Sequence, residues 1–150
     1  MARTPIEIYL HIVFSTKDRA NTIRPEIEAE LHRYMAGIVA NLDSRCVAIN
    51  GTENHVHMLV SLGKTMATSN LVREVKKGST SWLKREDSVS SVFSWQDGYG
   101  GFSVGRSDLP AARRYIEAQK VHHRRVSYEK EFVALLDEHG VAYDARYLWD

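Results

Sequence analysis

The sequence predicts an α+β fold in which two helices cover one face of an antiparallel sheet, and three observations support this prediction. The chain has 150 residues, 43% of them hydrophobic, which is the size and apolar content of one globular domain with one core. Apolar residues alternate at period two in some segments and recur at steps of three and four in others. Turn-forming clusters separate these segments in the order β, α, β, β, α, β, β, α, α. We therefore expect a single domain over residues 1–150 with a ferredoxin-like sheet.

The first half of the chain contains the clearest periodic segments. Residues 7–14 are rich in β-branched and aromatic types that alternate at period two, which predicts a strand. A helix of about 15 residues is expected after Arg24-Pro25, where apolar residues recur at steps of three and four. Apolar runs at 46–50 and 55–62 flank a turn-forming cluster at 51–54 and therefore predict a hairpin.

The middle of the chain is expected to add a helix and two strands. Thr68 or Ser69 can cap the helix, and Gly78 is expected to weaken or end it. Segments 92–95 and 101–104 have the composition of strands on either side of a glycine-containing turn.

Helices are expected to close the chain. Asp108 is the expected cap of the first, with Pro110 in its first turn and its end near Val121 or beyond. The tail from Ser127 contains another amphipathic segment, which Gly140 closes. Because the two earlier helices occupy one face of the sheet, we expect the opposite face to be open for a ligand.

Charge, cysteine content and the start of the chain exclude several classes of protein. The formal net charge is only +1, too small to indicate a nucleic-acid partner by itself. No segment approaches the roughly 20 apolar residues of a membrane span, and residues 1–5 lack the apolar run of a secretory signal. A cytoplasmic protein without a membrane partner is expected. The lone Cys46 is expected to be a half-buried strand residue without redox chemistry.

Basic residues are concentrated in two stretches, at 73–85 and 113–125. Ser and Thr hydroxyls, which donate to phosphate oxygens, are interleaved with the first stretch. His122 and His123 can add charge to the second on protonation. The candidate nucleic-acid contacts are Lys76, Lys77, Arg113, Arg114, Arg124 and Arg125. Solvated helix faces have the same composition, so these stretches alone do not establish a partner.

A histidine pair lies in the strand predicted at 55–62. Because successive strand side chains alternate, His55 and His57 leave the same face while Val56 points into the core. This spacing is typical of metal ligands. Two ordinary strand histidines are the alternative interpretation, and two ligands are too few to hold an ion.

A third ligand and a nucleophile are available in the helix that follows Asp108. Tyr115 and Gln119 are four residues apart and therefore share one helix face. Two neutral imidazoles and an amide oxygen would leave positions open on a divalent ion, which keeps its Lewis acidity for a phosphate oxygen. A phenol with a pKa of about 10 needs a nearby cation, metal or base to act as a nucleophile. Arg113, Arg114 and the ion are the candidates.

These motifs resemble those of a known family. The residues Asn54-His55-Val56-His57 resemble the HUH motif (His, hydrophobic, His), and Tyr115-Ile116-Glu117-Ala118-Gln119 resembles the tyrosine helix of IS200-like transposases, the insertion sequence 200/605 type. The resemblance extends over nearly the whole chain. Further similar segments are 8–17, 76–81, 95–99 and 119–132, the last resembling relatives associated with repetitive extragenic palindromes.

The resemblance implies a ferredoxin-like fold with a tyrosine-bearing C-terminal helix, and a transposase that nicks and rejoins single-stranded DNA at hairpin ends. It implies a Mg or Mn ion on His55, His57 and Gln119, with Tyr115 as the nucleophile that forms a 5′-phosphotyrosine and frees a 3′-OH. A second 3′-OH would attack that linkage, so rejoining needs no external energy source. Such proteins commonly form homodimers, sometimes with the tyrosine helix completing the partner's site, and act on DNA in the bacterial or archaeal nucleoid.

This sequence departs from the commoner family pattern, and two other functions share its features. Asn54 stands where the pattern has Asp, and Asn orients an imidazole less strongly than a carboxylate does. A non-catalytic or domesticated nucleic-acid-binding module of the same fold would need no metal. A metal-dependent hydrolase would use water instead of Tyr115 and form no covalent adduct.

Overall fold

The structure of the protein is a computed structural model that describes residues 3–87 and 92–149. The described residues form β1 (Tyr9–Ser15), α1 (Pro25–Asn41), β2 (Arg45–Thr52), β3 (His55–Ser61), α2 (Thr68–Glu86), β4 (Gly100–Val104), α3 (Leu109–Glu117), α4 (Gln119–His122) and α5 (Tyr128–Glu138). All strand pairs are antiparallel, and the strand order is β2-β3-β1-β4. This order, with α1 and α2 as crossover helices, is the predicted ferredoxin-like α+β fold. None of the described helices is both long and apolar enough to cross a membrane.

The hairpin that carries the histidine pair is confirmed. β2 and β3 are joined by the two-residue turn Glu53-Asn54. Val56, on β3, belongs to the core between the sheet and the two long helices. Met58 and Val60, which lie on the same face of the strand, belong to the same core. His55 and His57 lie on the opposite face of the sheet, because side chains alternate along a strand.

The two long helices cover one sheet face, as predicted. α1 has Pro25 in its first turn, and it buries Leu31, Met35 and Val39 at steps of four. α2 begins at Thr68 without a side-chain cap and continues through Gly78, so the expected cap is wrong and Gly78 does not end the helix. A Cβ at position 78 would lie 2.6 Å from Cδ1 of Ile38, so the glycine leaves room for α1 to pack closely.

Residues 92–95 do not form the strand that their composition predicts. Trp95 makes a single isolated bridge with Thr16, and its indole Nε1 donates to Ser79 Oγ at 2.9 Å. The rings of Phe93 and Trp95 pack edge to face in the core with their centroids 4.8 Å apart. The aromatic composition of this segment therefore reflects burial in the core and not pairing in the sheet.

The second sheet face is covered, so the expectation of an open ligand face is wrong. α5 packs its apolar stripe against Val13 of β1 and Phe102 of β4. The helix residues of this second core are Tyr128, Phe132, Leu135 and Leu136. An amphipathic helix must bury its stripe, and this sheet face offers the apolar surface to receive it.

The helix predicted from Asp108 to about Val121 is divided. α3 ends at Glu117, and Ala118 has φ −93° and ψ 11°, outside the helical region. α4 then begins at Gln119, whose side chain is completely buried. Asp108 occupies the predicted cap position, but its side chain makes no capping hydrogen bond. The tail helix α5 ends shortly before Gly140, which has the positive φ of 65° typical of a helix-ending glycine.

Candidate active site

A buried carboxylate, that of Glu131 on α5, lies at the centre of the polar cluster on the second sheet face. Its Oε1 lies 2.9 Å from His57 Nε2, 3.0 Å from His123 Nε2 and 3.6 Å from His55 Nε2. The side chains of His55, His57 and Glu131 are at most 1% exposed. Three imidazoles from β3 and the turn after α4 therefore converge on one oxygen of this carboxylate.

The second oxygen of the carboxylate faces the predicted nucleophile. Glu131 Oε2 accepts a short hydrogen bond from Tyr115 Oη and one of 3.0 Å from Gln119 Nε2. The ring of Tyr115 also lies edge-on to that of His57, with centroids 5.9 Å apart. The structure thus brings together the residues predicted from the two sequence motifs, and it places a carboxylate between them.

Other side chains and a carbonyl hold the imidazole rings from behind. His11 Nε2 on β1 lies 2.7 Å from His57 Nδ1. Asn54 Oδ1 lies 2.8 Å from His55 Nδ1, so Asn54 does orient this ring, although as an amide. The His123 Nδ1 atom lies 2.7 Å from the carbonyl oxygen of Val126. Each ring is therefore fixed with its Nε2 towards Glu131.

Burial and hydrogen bonding determine the charges in this cluster. Burial lowers the pKa of His55 to about 3 and also lowers the pKa of His57. Burial opposes the charge of Glu131, but its polar contacts with His123, His57 and Tyr115 hold the pKa of this carboxyl below its ordinary value. Burial therefore favours neutral imidazoles at His55 and His57 beside an anionic Glu131, the protonation states that metal ligands need.

The donor set fits a divalent metal ion. His55, His57, His123 and Glu131 each offer one ligand atom, and these atoms lie within 4.8 Å of one another. Gln119 Oε1, the ligand predicted from the sequence, lies 3.1 Å from His55 Nε2 and faces the same space. Imidazole nitrogens, a carboxylate oxygen and an amide oxygen are ligands that divalent transition ions accept.

The phenol of Tyr115 is not flanked by the cations that we expected from its neighbours. Arg113 Nε instead pairs with Glu117 at 3.0 Å along the exposed side of α3, and Arg114 is exposed. Burial and the hydrogen bond to Glu131 raise the pKa of Tyr115 above its ordinary value. Both effects favour the protonated phenol.

The remaining candidate nucleic-acid contacts differ in their surroundings. Lys77, Arg124 and Arg125 are exposed, as a phosphate contact requires. The ammonium of Lys76 instead donates to the carbonyl oxygens of residues 96 and 98 at 2.7 Å and of residue 97 at 3.2 Å. Lys76 therefore holds the loop before β4.

Sequence analysis did not identify Glu131, His123 or His11 as site residues. His123 was considered only as an added surface charge, but its side chain is 9% exposed. A signal for Glu131 was present, because it precedes Phe132 and lies four residues before Leu135, inside the apolar stripe of α5. An acid in the buried stripe of an amphipathic helix indicates a polar partner inside the protein.

Two solved structures resemble this chain in fold. A protein of Deinococcus radiodurans whose transposase assignment is provisional superposes with a TM-score of 0.64 at 18% identity, over 79% of this chain and 98% of its own. A tyrosine transposase associated with REP elements, solved bound to a REP hairpin, gives a TM-score of 0.62 at 17% identity, over 84% of this chain and 74% of its own. These likenesses concern the fold. A search of curated proteins found no match.

The family comparison covers most of the chain. The model described as "Transposase IS200 like" matches residues 5–119, which include both histidines of β3, Tyr115 and Gln119. The resemblance noted from the sequence motifs is thereby confirmed, and the chain belongs to the IS200-like transposase family.

Proposed function

We propose that this transposase cuts and rejoins single-stranded DNA through a covalent bond between Tyr115 and a 5′ phosphate. The observation that carries the proposal is the convergence of the Tyr115 hydroxyl and three imidazole nitrogens on one buried carboxylate. A phenol beside a set of metal ligands is the arrangement that metal-assisted attack on a phosphodiester requires.

In the proposed reaction Tyr115 Oη attacks the phosphorus, and the bond from phosphorus to the 3′ oxygen breaks. The 3′ oxygen leaves as a hydroxyl after taking up a proton, and the phosphate stays on the tyrosine. Glu131 Oε2, which already accepts the hydrogen bond of the phenol, is placed to receive the phenolic proton. Attack by a second 3′-OH reverses these steps and restores Tyr115.

The proposed cofactor is a divalent ion such as Mg or Mn, with His55, His57 and Gln119 as ligands. When bound, such an ion polarises the phosphate and stabilises the charge that develops on its oxygens. The protein residues supply orientation, because the rings of His55 and His57 are fixed by Asn54 and His11.

Surface features support access of DNA to the site. A cleft of about 370 Å³ borders Tyr115, and another of about 590 Å³ borders His123. The second cleft is lined in part by Lys120 and Arg124. We propose that phosphate groups contact the exposed basic residues Lys77, Arg113, Arg114, Arg124 and Arg125.

The proposed substrate is a DNA hairpin, and the proposed assembly is a homodimer of single-domain chains acting in the cytoplasm. The structural relative bound to a REP hairpin supports the choice of substrate.

The test is denaturing gel electrophoresis of the protein mixed with labelled hairpin DNA and Mn²⁺ or Mg²⁺. We expect an adduct that survives denaturation, requires the metal and is lost in Tyr115→Phe. Tyr147→Phe is the matched control, because Tyr147 is 63% exposed and lies outside the cluster. An adduct of undiminished yield in Tyr115→Phe would exclude Tyr115 as the nucleophile.

A non-catalytic DNA-binding protein of the same fold is the second candidate, and one observation favours it. Burial and the bond to Glu131 raise the pKa of Tyr115, whereas an attacking phenolate needs a lowered one. Hairpin binding with neither a nick nor an adduct would support this candidate.

A further inference from the structure

We propose that His123 and Glu131 bind the same metal ion as His55, His57 and Gln119, so that three imidazoles, one carboxylate and one amide oxygen hold it. Both added ligands lie outside residues 5–119, the part of the chain that the family model matches. The inference rests on the metal site of the proposed function and deepens it.

The hydrogen bond at Nδ1 of His123 directs the Nε2 atom of the same ring towards Glu131. Its Nδ1 lies 2.7 Å from the carbonyl oxygen of Val126. Because a carbonyl oxygen can only accept, Nδ1 carries a hydrogen, and in the neutral form that binds metals Nε2 then has a free lone pair. The lone pair on Nε2 then faces Glu131 Oε1 at 3.0 Å, so two acceptors meet without a hydrogen between them.

The same reasoning applies to His55. Asn54 Nδ2 points towards the carbonyl oxygen of Arg19 at 3.5 Å, and this orients Asn54 Oδ1 as the acceptor of the His55 Nδ1 hydrogen at 2.8 Å. His55 Nε2 therefore also carries a lone pair. It faces Gln119 Oε1 at 3.1 Å and Glu131 Oε1 at 3.6 Å, and both of these are acceptors.

Acceptor atoms of His55, Gln119, His123 and Glu131 thus converge where almost no solvent reaches. Gln119 and His55 are completely buried and the side chain of Glu131 is 1% exposed. A proton on one ring would satisfy only one of these contacts. A cation among the four atoms satisfies all of them at once.

The spacing of the proposed ligand atoms suits an ion. Ligands about 2.0–2.2 Å from a metal lie at most about 4.4 Å apart. The ligand atoms of His55, His57, His123 and Glu131 lie within 4.8 Å of one another, so they close on an ion with small side-chain movements. Glu131 would then join the ion through Oε1 to Tyr115 through Oε2.

The first test measures Mn²⁺ binding to the full chain without DNA, by titration calorimetry and by the loss of the free-Mn²⁺ spin-resonance signal. We expect Glu131→Gln and His123→Gln each to weaken Mn²⁺ binding by roughly 100-fold or more. Loss of a group that only orients a metal ligand typically weakens binding by about 10- to 100-fold. Matched controls are Glu129→Gln, two residues away on the exposed side of α5, and His139→Gln, both expected to bind as the wild type does. Wild-type affinity in Glu131→Gln and His123→Gln would overturn the proposal.

A second measurement needs no variant and therefore does not depend on whether Glu131→Gln folds. Long-range ¹H–¹⁵N spectra of the histidine rings are recorded while the wild-type protein is titrated with Zn²⁺. We expect the Nε2 signals of His55, His57 and His123 to shift together, while those of His32 and His139 do not. A shift confined to His55 and His57 would overturn the inference.

The two proposals fail in different ways. Metal binding by all four residues without any DNA adduct would exclude the proposed reaction and leave the metal site intact. Wild-type Mn²⁺ affinity in both Glu131→Gln and His123→Gln, with metal-dependent adduct formation by the wild-type protein, would exclude the added ligands and leave the proposed reaction intact.

Discussion

Glu131 shows how one side chain can couple two parts of a site. One of its oxygens faces three imidazoles and the other accepts from Tyr115. A change in the position of this carboxylate therefore alters the surroundings of the metal ligands and of the phenol together. Such groups respond to substitution as a unit, so single-residue effects at this site are not expected to add.

The neighbouring residues Lys76 and Lys77 test whether a lysine in the basic stretch is structural or binds DNA. Burial lowers the pKa of Lys76 to about 8, so the side chain is still charged at pH 7 and donates to three carbonyl oxygens. We expect Lys76→Gln to lower the free energy of unfolding by about 2 kcal/mol, and the melting temperature by roughly 4–8 °C.

Lys77→Gln is the matched comparison, because Lys77 is exposed. We expect its melting temperature to stay within about 1 °C of the wild type, since exposed substitutions change stability little. Its hairpin affinity should fall and depend less steeply on salt, as loss of one phosphate contact predicts. A stable Lys76→Gln protein with weakened DNA binding would contradict the structural role of Lys76.

At the scale of residues, the sequence predicts the site residues that lie close to one another along the chain. His55 and His57 share a strand face and Tyr115 and Gln119 lie one helical turn apart, so periodicity alone brings each pair together. Glu131 and His123 reach the same point only because α5 packs across the sheet, and no local period encodes that packing. His11 could not be recognised for the same reason, since its partner His57 is 46 residues away.

At the scale of elements, the segments 76–81 and 95–99, both of which resemble the family, contact each other. Lys76 and Ser79 of α2 hold the segment 95–98: Lys76 through carbonyl oxygens and Ser79 through the indole of Trp95. Gln96 Oε1 in turn accepts from the backbone of Ser15 at 2.7 Å. This segment is thereby fixed between α2 and the end of β1, which sets where β4 begins.

Two adjacent glycines of β4 test how closely α5 must approach the sheet. A Cβ at Gly100 would lie 2.6 Å from Cε1 of Phe132 and 3.1 Å from Cγ1 of Val13. We expect Gly100→Ala to destabilise the protein by about 1–3 kcal/mol through overpacking. Because Phe132 adjoins Glu131, Mn²⁺ affinity should fall as well. Urea denaturation and metal titration measure the two effects.

Gly101→Ala supplies the control on the same strand. Its Cβ would meet only Cε2 of Tyr99, at an ordinary 3.8 Å, so we expect a change in the free energy of unfolding within about 0.5 kcal/mol. Equal destabilisation by the two substitutions would show that contact with α5 is not responsible.

The sequence predicts the elements whose hydrophobic periodicity matches the way they pack. It fails to predict elements where tertiary contacts override the local pattern. β1, the hairpin and the two long helices follow from periodicity. Residues 92–95 were expected to be a strand because buried aromatics have the same composition as strand residues. The break at Ala118 and the covered second face depend on how the tail packs, which a linear pattern does not contain.

At the scale of the whole molecule, buried histidines make stability depend on pH. Burial lowers the pKa of His11 and His55 to about 3 and that of His32 to about 4. The unfolded chain, with pKa values near 6.5, therefore binds more protons between pH 4 and 6.5 than the folded protein does. The stability that neutral burial of these histidines contributes is fully present above about pH 6.5. It is lost as the pH falls through this window, at about 1.4 kcal/mol per pH unit for each histidine.

Urea denaturation of the chelator-treated protein between pH 7 and pH 4.5 measures this dependence. We expect the free energy of unfolding to fall by about 8 kcal/mol, from three histidines over the two pH units below 6.5. His32→Gln should reduce the slope by about one proton, because His32 is buried on α1 away from the cluster. A profile that is flat over this range would contradict neutral burial of these rings.

The assembly of the active site is the last property that belongs to the whole molecule. Tyr115 lies beside His57 of its own chain, with ring centroids 5.9 Å apart, and its hydroxyl bonds Glu131 of that chain. We therefore expect catalysis in cis, whether or not the chain forms a homodimer.

A mixing experiment with the two variants His57→Gln and Tyr115→Phe, each expected to be inactive, tests this prediction. Unfolded together and refolded as a mixture, they should yield no DNA adduct. If tyrosine helices were exchanged between protomers, mixed dimers would contain one intact site and recover part of the wild-type yield. Wild-type protein refolded with either variant should retain adduct in proportion to its share of chains, which shows that refolding itself does not remove activity.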